Sequence, residues 1–217
     1  MSAIVSDYNS WQDKLMPMSL SDLDPKSTAI ISVDMINGFC RHGRLSSINY
    51  DKIGIKVARL FRIAKLLDFK HLLLVQDRHD ENSTEFMTFG VHCLVDSDEA
   101  QTIDEIKNLP FYSEMKVFYK NSLSIGYNDE FIKFLKDNPS IDTFIVVGVC
   151  TDLCIYNMIS YLALSANEKN IKRHIIVPHE LVGTYDAPLH DASFCQNFFL
   201  HHASVAFGAE ICSKIIE

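Results

Sequence analysis

Three observations predict an α/β protein arranged as a three-layer sandwich, with a central parallel sheet flanked by helices. Apolar runs such as TAIISV (28–33), HLLLVQD (71–77), TFIVVGV (143–149) and HIIVPHE (174–180) are continuous rather than alternating, as strands buried on both faces are. Stretches with helical apolar spacing separate them. The chain has 217 residues, 47% of them hydrophobic, and no long polar, Gly/Ser/Pro-rich linker, which suits one domain over 1–217 with residues 1–27 as an arm.

Taken in order, residues 1–27 read as irregular or partly helical. The first strand is 28–33, and Asp34 stands at its end. Ile53, Val57, Leu60, Phe61, Ala64 and Leu67 repeat at near-helical spacing and predict a helix over 51–69. The second strand, 71–77, again ends in Asp. Residues 78–110 read as a long loop with a helical turn near 100–107; loops of that length are functional or disordered. A strand over 116–119 precedes Lys120, and 128–137 is a short helix. After the strand 143–149, Thr151 or Asp152 is expected to cap a helix running to about Ala166. The strand 174–180, a helix over 187–201, a strand over 204–207 and a C-terminal helix complete the prediction.

Composition narrows the function. The net charge of −8 disfavours nucleic acid, whose phosphates need clustered Lys and Arg. No apolar run reaches the length of a membrane span, and the N-terminus lacks the pattern of a signal peptide. Six cysteines in such a chain are expected to be reduced thiols in a cytoplasmic setting.

In a parallel α/β sheet ligands bind outside the carboxyl ends of the strands. Asp34, Asp77, Lys120 and the Cys150–Cys154 turn each follow a predicted strand and are expected on one rim. The two cysteines read as core thiols, a metal clip or a nucleophile with its surroundings. A clip lacks a second ligand pair, and a redox pair would be C-x-x-C. In the first helical turn Cys154 is the better nucleophile, because a helix N-terminus favours thiolate and its free N–H groups can hold an oxyanion. No histidine is placed beside it, so Asp34 is the candidate base and Lys120 the cation that holds both charges. In the loop, Asp77, His79, Glu85 and His92 form a mixed N/O set suited to Zn²⁺, Fe²⁺ or Mn²⁺; a solvated acidic loop is the competing reading.

With those residues assembled, the sequence from about Ala29 onward resembles the nicotinamidase branch of the isochorismatase-like cysteine hydrolases, a Rossmann-like fold. VDMINGF resembles the motif of the catalytic Asp (Asp34), FYKNSLSIGY that of the catalytic Lys (Lys120), and GVCTDLCI that of the nucleophile (Cys154). D-x-H…E…H-C resembles the metal site at Asp77, His79, Glu85 and His92, and TYDAPLHDA is also similar to a family segment. The resemblance implies that a small amide is hydrolysed through a Cys154 thioester while a divalent metal, Zn²⁺ or else Fe²⁺ or Mn²⁺, orients the substrate. It implies N–H groups of Cys150 and Cys154 as the oxyanion hole, and Phe39, Phe89 and Tyr127 around the substrate ring. A cis peptide at Val149–Cys150 and a homo-oligomer are also implied. Leu153, Gly38, Phe89 and Glu85 depart from common family choices, which leaves open an amidase acting on a carbamoyl or ureido compound. A non-catalytic binding relative is the reading from a different class.

Overall fold

The computed structural model describes residues 3–217. Helix α1 (Ala3–Gln12) and strand β1 (Met18–Ser19) precede β2 (Thr28–Val33), the short α2 (Asn37–Cys40), α3 (Asp51–Leu66) and β3 (His71–Asp77). The segment after β3 holds two single-turn helices, α4 (Phe86–Phe89) and α5 (Asp104–Lys107), before β4 (Lys116–Lys120) and α6 (Asp129–Asp137). Then come β5 (Thr143–Val149), α7 (Tyr156–Glu168), β6 (His174–Pro178), β7 (Val182–Gly183), α8 (Ala192–Phe207), β8 (Glu210–Cys212) and β9 (Ile215–Ile216).

The strands from β2 to β8 form a seven-stranded parallel sheet in the order β4-β3-β2-β5-β6-β8, with β7 pairing the end of β5. The alternation within β2 shows how both faces are used. Ile30 packs into the core beneath α3, with Val57, Phe61 and Tyr50, whereas Ala29, Ile31 and Val33 face the core under α6, α7 and α8, with Phe118, Phe131 and Met158. That is the predicted sandwich. The chain runs outward from β2 to β3 and β4 on one side and from β5 to β6 and β8 on the other. The reversal falls between β2 and β5, where an α/β sheet opens its crevice.

Three expectations change. The helix after β5 has no side-chain cap from Thr151 or Asp152: the backbone of Cys150 occupies the cap position, and 151–155 is a π-turn that joins α7. Residues 204–207 lie inside α8, not in a strand, because Asp191 caps the helix at Phe194 N–H (2.7 Å) and nothing interrupts it before Gly208. Gly208 ends α8 in the left-handed conformation (φ 67°). The C-terminal residues are strands, β8 on β6 and β9 on β1, where helix was expected. The arm at the N-terminus is tied down: Tyr8 packs edge-on to Phe194, Phe198 and His201 of α8.

Candidate active site

Strand register aligns the carboxyl ends. Val33 is opposite Gly148, and Asp77 is opposite Lys120. The approach of β5 to β2 is so close that a Cβ on Gly148 would lie 2.0 Å from the Val33 carbonyl oxygen, and its φ is +113°, so only glycine fits. The peptide that follows, Val149–Cys150, is cis.

Asp34 leaves β2 with φ 54°, a left-handed conformation that costs about 1–3 kcal/mol in a non-glycine residue. Its Oδ1 accepts from the Asp77 N–H at 2.8 Å, and its Oδ2 lies 3.0 Å from Lys120 Nζ. The same ammonium donates to Asp77 Oδ1 and lies 3.4 Å from Cys154 Sγ. All four side chains are buried, with Lys120 only 3% exposed. The structure thus brings Asp34, Lys120 and Cys154 together.

Burial and the neighbouring Asp77 raise the Asp34 carboxyl to about 6, against the pull of Lys120. Burial also acts on Lys120, but Asp34 and Asp77 outweigh it and hold the ammonium charged well above its ordinary range. On Asp77, burial is outweighed by Lys120 and His79, which keep it below the usual carboxylate value. Cys154 differs from the sequence expectation. Burial pushes its thiol well above the ordinary value despite Lys120, with Asp34 and Asp77 adding to the rise. It lies in a buried π-turn, not at an open helix end. Cys150 is pushed up to about 12 by burial, and its Sγ lies 3.1 Å from the Tyr50 hydroxyl.

Asp77 links this trio to a second constellation. Asp77, His79, Glu85 and His92 each offer a donor atom within 4.8 Å of the others. The surrounding hydrogen bonds decide which atoms are free. His79 Nδ1 bonds Asn121 Oδ1 at 2.9 Å, and His92 Nδ1 donates to the Gly90 carbonyl at 2.7 Å. Each ring is therefore oriented with Nε2 toward Asp77 Oδ2, at 3.6 and 4.0 Å. Glu85 Oε2 accepts from the Leu123 N–H, which leaves Oε1 over. His79 Nε2 and Glu85 Oε1 are buried and have no hydrogen-bond partner. Unpartnered donor atoms facing one another fit a divalent cation. A second trio, Asp34, Asp77 and Cys154, also lies within 4.8 Å, but Lys120 already sits among its atoms.

A cavity of about 340 Å³ opens beside this centre, lined in part by Phe39, Arg44, Phe89, Cys150, Leu153 and Tyr185. Phe39 and Phe89 also meet the His92 ring edge-on, at 6.2 and 6.4 Å. Tyr127 is not brought there: it is 85% exposed on the 3₁₀ turn after β4. A larger cavity of about 570 Å³ lies among Gln12, His179, Gln196 and Asn197 and contains none of the trio. Sequence reasoning missed Asn121, Arg44 and the role of Tyr185 as a wall. Asn121 adjoins Lys120, but nothing local marks it as the partner of His79.

A family model described as "Isochorismatase domain" matches residues 28–207. "Nicotinamidase 1" of Arabidopsis thaliana is 24% identical over 214 residues, covering 87% of this chain and 86% of that protein. The pyrazinamidase/nicotinamidase of Streptococcus mutans UA159 superposes with a TM-score of 0.70 at 21% identity, over 85% of this chain and 99% of its own. The N-carbamoylsarcosine amidase of Thermoplasma acidophilum does so with 0.67 at 23% identity, over 86% and 95%. These two likenesses establish the shared fold. Among the described residues no helix is long and apolar enough to cross a membrane.

Proposed function

The chain belongs to the isochorismatase family of hydrolases, and from that premise we propose that it is a nicotinamidase-type amidohydrolase, converting nicotinamide to nicotinic acid and ammonia. The observation that carries this reading is the meeting of two constellations at Asp77: a buried Asp34–Lys120–Cys154 trio and a four-donor cation set.

Asp34 takes the Cys154 thiol proton as sulfur attacks the carboxamide carbon. A carboxyl raised to about 6 is matched to that transfer better than an ordinary aspartate. Lys120 lies close enough to stabilise the thiolate while it forms. The N–H groups of Cys150 and Cys154 hold the tetrahedral oxyanion. Asp34 then gives its proton to the nitrogen, the C–N bond breaks, ammonia leaves, and a thioester remains. Asp34 next takes a proton from water, whose oxygen attacks the thioester carbon; the C–S bond breaks, the acid leaves, and Asp34 returns the proton to the Cys154 sulfur. Asp77, His79, Glu85 and His92 would hold a divalent cation, Zn²⁺ in first place; bound there it supplies a Lewis acid for a pyridine nitrogen. Phe39 and Phe89 flank the ring. The six cysteines, all free, accord with a reducing, cytoplasmic setting.

An ammonia-release assay over nicotinamide, pyrazinamide and ureido acids tests the reading. Cys154→Ala is expected to abolish release from nicotinamide, while Cys150→Ala retains much of it. Equal loss in both, or turnover of ureido acids alone, refutes it.

A further inference from the structure

The segment 184–191, between β7 and α8, supplies Tyr185 and Asp186 to the wall of the cavity beside Cys150. Its own structure is a tight turn in which Ala187 and His190 exchange backbone hydrogen bonds at 3.0 and 2.9 Å. Its attachment to the rest of the molecule runs through side chains. Asn49 Nδ2 donates to the Thr184 carbonyl at 3.2 Å and to Asp186 Oδ2 at 3.0 Å. The Thr184 hydroxyl donates to Asp152 Oδ1. The His190 ring stacks on Tyr185, with centroids 4.1 Å apart and planes 2° from parallel. Its Nδ1 bonds the Tyr185 carbonyl at 2.9 Å, and its Nε2 bonds Asp152 Oδ2 at 2.7 Å. Asp152 belongs to the π-turn that carries Cys154, so this contact ties the cavity wall to the nucleophile's own turn.

Both partners of the imidazole only accept. A neutral imidazole has one N–H, so making both bonds requires the imidazolium. We propose that His190 is a positioning residue: as a cation it latches the segment 184–191 to the nucleophile turn through Asp152, and so holds Tyr185 in place as a wall of the substrate cavity. The groups that face it are the Asp152 carboxylate from the π-turn and Tyr185 and Asp186 from its own segment; the Cys195 thiol of α8 stands near Asp152, Asp186 and Asp191. Burial disfavours the cation, but the bond to Asp152 outweighs it and holds the imidazole above its ordinary value. As pH rises through that elevated value the ring keeps a single N–H and can serve the Tyr185 carbonyl or Asp152 but not both, so the latch weakens.

Chemistry supplies a variant that separates charge from geometry. In Asp152→Asn, Oδ1 still accepts from Thr184, while Nδ2 donates to the Nε2 of a neutral ring whose Nδ1–H still meets Tyr185. The latch then stays closed but no longer titrates.

On the full chain with ¹⁵N-labelled histidine, NMR at about pH 7, above the ordinary imidazole value of about 6.5, is expected to show both His190 nitrogens protonated in the unmodified protein. In Asp152→Asn the ring should be the neutral Nδ1–H tautomer. The kinetic arm rests on the proposed function. With nicotinamide, KM should rise about tenfold as the latch weakens, the scale of one charge-assisted hydrogen bond, with kcat little changed. KM should stay flat and low in Asp152→Asn, and flat and high in His190→Gln. If nicotinamide is not turned over, NMR and amide exchange of 184–191 over the same pH range still decide the matter. A neutral His190 in the unmodified protein overturns the proposal, as does the same pH response in Asp152→Asn, or unchanged exchange in His190→Gln.

Discussion

Replacing Lys120 with methionine keeps most of the side-chain volume and removes a buried ammonium in contact with Asp34, Asp77 and Cys154. Removing one partner of a buried charge pair costs about 3–5 kcal/mol, because the charge left behind is neither solvated nor paired. An exposed pair gives the contrast: Lys133 and Asp137, with side chains 73% and 51% exposed, are worth about 0.3–0.5 kcal/mol. For a chain of this size 1 kcal/mol moves Tm by about 2–4 °C, so Lys120→Met should lose roughly 6–20 °C. The pH response has a definite sign. Burial and Asp77 already raise Asp34 to about 6 against the pull of Lys120, so losing Lys120 raises it further. A carboxyl whose folded value lies above its unfolded value stabilises the fold when protonated, so the damage should be larger at pH 8 than at pH 5.5. Urea unfolding at both pH values, with the m-value monitored, measures this for Lys120→Met, Lys133→Met and Asp34→Asn/Lys120→Met. The double variant should be destabilised by less than the sum of its single changes. A Lys120→Met protein as stable at pH 8 as Lys133→Met, or one harmed more at pH 5.5, refutes the buried-cation account.

Gly148→Ala should unfold at least about 3 kcal/mol more easily, since the new methyl meets the Val33 carbonyl and the φ is unfavourable; urea denaturation measures it. Asn121→Ala should weaken divalent-metal affinity about 10–100-fold by freeing the His79 ring, read by metal titration of the chelator-stripped protein; unchanged affinity refutes the orienting role. Phe89→Ala should raise KM for nicotinamide, while Tyr127→Ala, at an 85% exposed site, should leave KM and kcat as they were.

The strands of the sheet centre were legible because both of their faces are buried, which leaves continuous apolar runs such as TAIISV and TFIVVGV. Asp34 and Asp77 were legible for a related reason: each closes such a run, Lys120 closes the edge strand KVFYK, and the parallel sheet carries every closing residue to one rim. The C-terminal elements misled. SVAF reads as strand by propensity, yet it is the last turn of α8, and its Val205 is 74% exposed. Tyr127 lies close to Lys120 in sequence, but the 3₁₀ turn at Ile125–Tyr127 projects it into solvent. The helix-end argument for a lowered Cys154 thiol left out desolvation and two carboxylates from distant strands, which push it the other way. Strand order, the Asn121–His79 bond and the Asp152–His190 bond join residues far apart in sequence, and no local pattern encodes them.

The two halves of the site are joined by charge as well as by distance. Asp34, Asp77 and Glu85 face a single ammonium, Lys120, so with neutral histidines the cluster holds two negative charges more than it balances. The surplus is felt throughout. Burial and Asp77 raise the Glu85 carboxyl, and on His79 the Asp77 carboxylate outweighs burial and raises the imidazole. A divalent cation held by the four donors would carry the missing charge, while Lys120 holds Asp77 Oδ1. Asp77 is thus the shared electrostatic element: its charge raises both Asp34 and Cys154, and positive charge at His79, Glu85 and His92 would offset it. Lys120 would then be less opposed at the Cys154 sulfur, where negative charge must develop when the thiol gives up its proton.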